Sequence, residues 1–153
     1  MLIYNKEKHK QLVKRFIELT NEGRSLDRKN SATLFTYDRI VADKIYWTHR
    51  EEFVRIFKNF LTNKMSYQKF EDYFSGIYWK AYRESALIKR DLERIESFIP
   101  NAESEQFSNR MTGIYRLLDA VDDGLASEQE VLDHVKETCL KNQIFKDELD
   151  IWL

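Results

Sequence analysis

Apolar side chains recur at intervals of three and four along nearly the whole chain, the spacing that lines one side of an α-helix, and no stretch shows the alternation of a half-buried strand. The longest such pattern runs over residues 66–98, with Tyr67, Phe70, Tyr73, Phe74, Ile77, Ala81, Leu87, Ile88, Leu92, Ile95 and Phe98 on one stripe. Ser66 offers an oxygen to the free amides of its first turn, and Pro100 closes it. At about 1.5 Å per residue it predicts a rod close to 50 Å long, along which the other helices must pack.

Shorter stripes flank the rod. Leu12, Val13, Phe16, Ile17 and Leu19 predict a helix over 4–22, stopped by Asn21, Glu22 and Gly23. A polar loop over 24–30 precedes a helix from 31 or 33 to about 46, with Leu34, Tyr37, Ile40, Val41 and Ile45 inward. Thr48 and Glu51 have the spacing of a capping box for a third helix carrying Phe53, Ile56, Phe57, Phe60 and Leu61. Beyond a polar connection over 101–109, a stripe from Phe107 through Met111, Ile114, Tyr115, Leu117 and Leu118 to Val121 stops near Asp123 and Gly124. Ser127 and Glu130 form a second box, opening a helix with Val131, Leu132, Val135, Cys139 and Leu140 inward. The closing FKDELDIWL either adds a turn or packs as a tail. Short connections favour antiparallel neighbours, so the expected fold is all-α: one domain over 1–153, an up-and-down bundle of five or six helices organised on the central rod.

Composition agrees with that reading. Four Gly and one Pro leave little punctuation for hairpins, and 33% charged residues beside 14% aromatic ones suit amphipathic helices with aromatic inner faces. Cys139 is the only cysteine, which excludes an intrachain disulfide and a cysteine-based zinc site. The start, MLIYNKEKHK, lacks the apolar core of a signal peptide, and no apolar run reaches membrane-spanning length, so a cytoplasmic protein, or one in the soluble compartment of an organelle, is expected. The net charge of −1 conceals a gradient: Lys and Arg exceed Asp and Glu by roughly six up to Met65, and acids dominate by roughly seven after Pro100.

Motifs for catalysis are missing. No Glu stands three residues before His9, His49 or His134, which removes the di-iron bundle pattern. Glu130 and His134 share a face at a spacing that chelates a metal or, far more often, forms a surface pair. Asp119, Asp122 and Asp123 crowd a helix end without the ligand spacing of a calcium loop. With no nucleophile elbow and no phosphate-cradling glycine loop, neither enzymatic activity nor a cofactor or metal is expected. Of the aromatic residues Tyr46, Trp47, Tyr67, Tyr73, Tyr78, Trp79 and Tyr82, most read as core. Tyr78, Trp79 and Tyr82 lie partly off the stripe, as contact residues do.

Two passages resemble one family. FVRIFKNFLTNKMSYQKFEDYFSGIYW, residues 53–79, with its apolar helix, short link, Ser-led helix and Phe70-Glu71 pair, is similar to the colicin D-type immunity proteins. IYRLLDAVDDGLASEQEVLDHVKETCL, residues 114–140, resembles the later helices of that family through the apolar pair before Val121-Asp122 and the acidic helix that follows. The resemblance implies a helical inhibitor that covers the basic active-site cleft of a ribonuclease toxin with carboxylates. It makes Asp119, Asp122, Asp123, Glu128, Glu130, Asp133 and Glu137 the first contact candidates, with Tyr115 or Trp152 as hydrophobic anchors. The basic first third supports a rival, a nucleic-acid or ribosome-associated adaptor with Lys6, Lys8, Lys10, Lys14 and Arg15 on phosphates. A third reading is a structural subunit of a larger assembly.

Overall fold

Every regular element in the computed structural model, which describes residues 3–141, is a helix. There are seven: α1 (Lys6–Asn21), α2 (Arg28–Thr48), α3 (Arg50–Leu61), α4 (Tyr67–Ile88), α5 (Leu92–Ser97), α6 (Ser104–Asp122) and α7 (Glu128–Lys141). Polar side chains set most of the starts. The Asn5 oxygen accepts from the Lys8 amide at 2.9 Å, Asp27 from Asn30 at 3.2 Å and Ser66 from Lys69 at 3.2 Å. At α7 the expected box is complete: the Ser127 amide donates to Glu130 at 2.9 Å, and the Glu130 amide donates to the Ser127 hydroxyl at 3.2 Å. Gly124, at φ 74°, lets the Leu125 amide reach back to the Ala120 carbonyl at 2.7 Å, which closes α6. Asn63 does the same after α3 at φ 59°, a conformation that asparagine tolerates better than most residues.

The rod expected over 66–98 is two helices, and the described residues hold seven helices where five or six were expected. Asp91 interrupts it, its carboxylate accepting from the amides of Glu93 at 3.1 Å and Arg94 at 3.3 Å. An acidic cap therefore starts α5 in a new direction and delivers Ile95 to α1 and α2, where it packs with Leu12, Val13, Leu34 and Tyr37. Periodicity could not reveal the break, because Ile88, Leu92 and Ile95 keep helical spacing across it. The box at Thr48 does not form. Its hydroxyl donates to the Ile45 carbonyl at 2.7 Å, α2 runs on through Thr48, and His49 occupies the cap position of α3 without a side-chain cap bond. With Asp27 capping it, α2 begins three residues before the earlier of its two expected starts. Ile17, Tyr73, Leu87 and Leu140, all expected inward, are exposed. The closing FKDELDIWL and Trp152 lie outside the described residues.

Two apolar clusters hold the helices. The larger is aromatic: Phe53, Phe57, Phe70, Phe74 and Phe107 are sealed from solvent between α3, α4 and α6, with Val131, Val135 and Cys139 of α7 beside them. Phe60 and Phe70 stack at 4.2 Å between centroids. Helix α2 runs through both clusters, and its contacts with α6 and α4 are the most extensive in the fold; α1 packs chiefly on α5, and α3 on α4 and α7. Burial, rather than sequence adjacency, thus sets the neighbours.

Candidate functional site

Helices α4 and α6 run antiparallel. Tyr78 and Tyr115 stack at 4.3 Å, the Tyr78 hydroxyl meets that of Thr112 at 3.2 Å, and two turns away Glu71 lies beside Asp122. That register places Glu71, Asp119 and Asp122 on one edge, with Asp123 and the turn into α7 beside it. Burial and the negative charge of Asp122, Asp72 and Asp119 push the Glu71 carboxyl above its ordinary range. Tyr67 points its hydroxyl into the same place: it is covered, makes no hydrogen bond, and is held up to about 12 by burial and by Glu71, Asp122 and Glu128.

All seven acids named from the sequence are exposed. They fall into two groups. Asp122 and Glu128 lie about Tyr67 together with Glu71, with Asp119 near Glu71 and Asp123 at the end of α6, whereas Glu130, Asp133 and Glu137 share the outward face of α7 by helical spacing. Glu130 is engaged in the α7 cap and Asp133 accepts from Gln129 at 2.9 Å. Asp119, Asp122, Asp123 and Glu128 form no ion pair with any described cation, although salt bridges are spread over the rest of the surface. Glu71 had no signal in the sequence as a member of this edge, since only the α4–α6 register brings it there.

The basic residues of α1 are differently placed. Lys10 is tied to Glu96 of α5 at 3.0 Å and Arg15 pairs with Glu18 at 3.7 Å. Lys8 and Lys14 are exposed and Lys6 half-buried, with exposed Glu7 and Glu18 on the same helix and Glu22 at its end. They do not make a single-sign surface.

Two histidine networks, one buried and one half-buried, also went unread in the sequence. His9 is sealed, with the Tyr4 hydroxyl 2.8 Å from Nδ1 and Asp38 Oδ1 3.3 Å from Nε2, and Arg90 holds Asp38 at 3.1 Å. His49 lies between Glu52, 2.5 Å from Nδ1, and Glu84, 2.8 Å from Nε2, so one ring joins α3 to α4. Both networks consume their polar atoms internally. His134 lies against α6 at Gly113, and Glu130 is turned to its own helix start. Among the described residues no group of three His, Cys, Asp or Glu is arranged to hold a metal ion. The Cys139 thiol is buried and pushed up to about 12 by that burial, which leaves almost no thiolate for nucleophilic chemistry. A groove of about 360 Å³ opens between α3 and α7, lined by Leu61, Asn63, Leu132, Lys136 and Leu140. No described helix is long and apolar enough to cross a membrane.

Comparison with known proteins adds no relative: no family model matches the chain, and no curated protein or solved structure matches it.

Proposed function

We propose that this chain works by binding rather than by chemistry, as a protein-interaction module whose acidic edge covers a basic partner. The observation that carries the reading is the charge at the α4–α6–α7 corner, where Glu71, Asp119, Asp122, Asp123 and Glu128 gather without an ion pair to any described cation. Carboxylates crowded on a packed helical edge lose mutual repulsion when a cationic surface arrives, so complex formation gains both rate and selectivity from their field. The specific case implied by the resemblance to colicin D-type immunity proteins is a ribonuclease toxin, whose phosphate-binding cleft must be basic. A nucleic-acid adaptor on α1 is less well supported, because Lys10 and Arg15 are already paired.

The test is capture from the native host with the immobilised chain, beside a variant carrying Asp119→Asn, Asp122→Asn and Asp123→Asn, read by mass spectrometry and by nucleic-acid staining. The expected result is a basic protein retained by the unaltered chain, released by salt and lost from the variant, with helix content unchanged by circular dichroism. Equal capture by the two chains, or recovery of RNA alone, refutes the reading.

A further inference from the structure

Gly76 stands in the middle of α4, where glycine costs about 1 kcal/mol relative to alanine. Nothing among the described residues accounts for it: its φ is not positive, and a Cβ placed there would meet none of their atoms within 4 Å. It lies at the centre of an exposed stripe that continues through Asp72 and Tyr73 on one side and Trp79, Lys80 and Arg83 on the other. The opposite side of the helix is packed, with Phe70, Phe74, Ala81 and Ser85 buried. A glycine that no internal contact needs, centred on an outward aromatic face, fits the close approach of a second backbone.

The charges on that face say which backbone. Nearest the glycine they are ordered along the helix, Asp72 before it and Lys80 and Arg83 after it, with Tyr73 beside Asp72 and Trp79 beside Lys80, whose ammonium also reaches Glu52 at 3.5 Å. We propose that α4 is the two-fold contact between two copies of this chain, its helices crossing antiparallel at Gly76. A two-fold axis there sets Tyr73 against Lys80 of the second copy, and Asp72 between Trp79 and Arg83 of the second copy. Each pairing occurs twice. Ring against ammonium and carboxylate against guanidinium are both attractive. A parallel copy would set like charge against like, and a polyanion would meet Asp72. Trp79 is held ready for the contact, its indole N–H donating to the Tyr115 hydroxyl at 3.0 Å and its ring edge-on to Tyr82 at 5.3 Å. Arg83 forms no side-chain hydrogen bond or ion pair with any described residue, and the Asp72 carboxylate accepts from Gln68 at 3.1 Å. Helices crossing at about 50° diverge from the crossing point, which leaves Lys69 and Leu87 at the rim. A single helix face falls below the usual area of a stable interface, so the dimer is expected to dissociate on dilution. The contact leaves the α6–α7 acids uncovered and does not depend on their proposed role.

Sedimentation velocity on the full chain from roughly 1 to 200 µM tests this. The expected result is a monomer–dimer equilibrium weakened about tenfold or more by Asp72→Arg and by Arg83→Asp separately, and regained when both changes are in one chain, because the swapped charges again oppose each other. Mild oxidation of Gly76→Cys should yield a covalent dimer on a non-reducing gel, which the unaltered chain with its buried Cys139 should not. The substituted thiol faces open space, so the variant folds as the parent does. A chain monomeric at every concentration, a double variant no better than the single ones, or no cross-link at position 76 overturns the proposal.

Discussion

Asp43 offers the sharpest test of how this core is built. It is 6% exposed, on the face of α2 that packs against α6, and burial raises its carboxyl to about 6 from 3.8. The Ser108 hydroxyl and the charges of Arg39 and Lys89 oppose that rise, Glu105 adds to it, and burial outweighs them all. Because the folded value lies above the unfolded one, the neutral acid stabilises the fold below about pH 4. That contribution is lost as pH rises, completely so above about 6. At about 1.4 kcal/mol per pH unit, the interval corresponds to about 3 kcal/mol. Asp43→Asn keeps the shape and the acceptor for Ser108 but carries no charge to bury. In urea unfolding followed by circular dichroism, the variant should exceed the parent by about 3 kcal/mol at pH 8 and by about half of that near pH 5. The two should converge near pH 3. Equal stability at pH 8, or a gap that widens on acidification, would refute the assignment of a desolvated acid to the α2–α6 interface.

Three further outcomes follow from the described geometry. Gly113→Ala should stabilise by about 0.5 to 1 kcal/mol, since its Cβ meets only His134 Nε2 at an ordinary 3.8 Å, whereas Gly124→Ala should destabilise by about 1 kcal/mol because φ there is 74°; thermal melts of the two variants would move in opposite directions. Ser127→Ala should lose about 1 kcal/mol with the α7 cap, while Thr48→Ala, which removes no cap, should stay within about 0.5 kcal/mol on denaturant titration. Cys139 should react with a disulfide reagent at pH 8 orders of magnitude more slowly in the folded chain than in denaturant, as expected for a thiol buried and held up to about 12.

Helix existence was legible because it is a local property. Spacing located the inward Phe53, Phe57, Phe70, Phe74, Phe107, Met111 and Ile114, and Ser66 and the Ser127–Glu130 pair marked helix starts through bonds that span only three residues. The break at Asp91 was not legible, because a cap competing with helix continuation is decided by what lies beyond it, here the α1–α2 pocket that receives Ile95. Thr48 and Glu51 had the spacing of a box, yet α2 ran on through Thr48, and nothing local predicts which of two helices claims a residue at their junction.

The candidate site divides along the same line. Asp119, Asp122 and Asp123 stand in the sequence as an acidic run beside a helix stop, and exposure follows from their spacing on α6. Glu71 and Tyr67 enter only through the antiparallel register of α4 on α6, and His9 with Asp38 and His49 with Glu84, pairs separated by 29 and 35 residues, meet only through other helix pairings. The sequence by itself determined which side of each helix would be apolar, since that needs only a period of 3.6 and the cost of exposing a ring. Tertiary structure alone decided which charges were neutralised and which left bare, because an ion pair between helices depends on register, and register is settled where the buried side chains interlock.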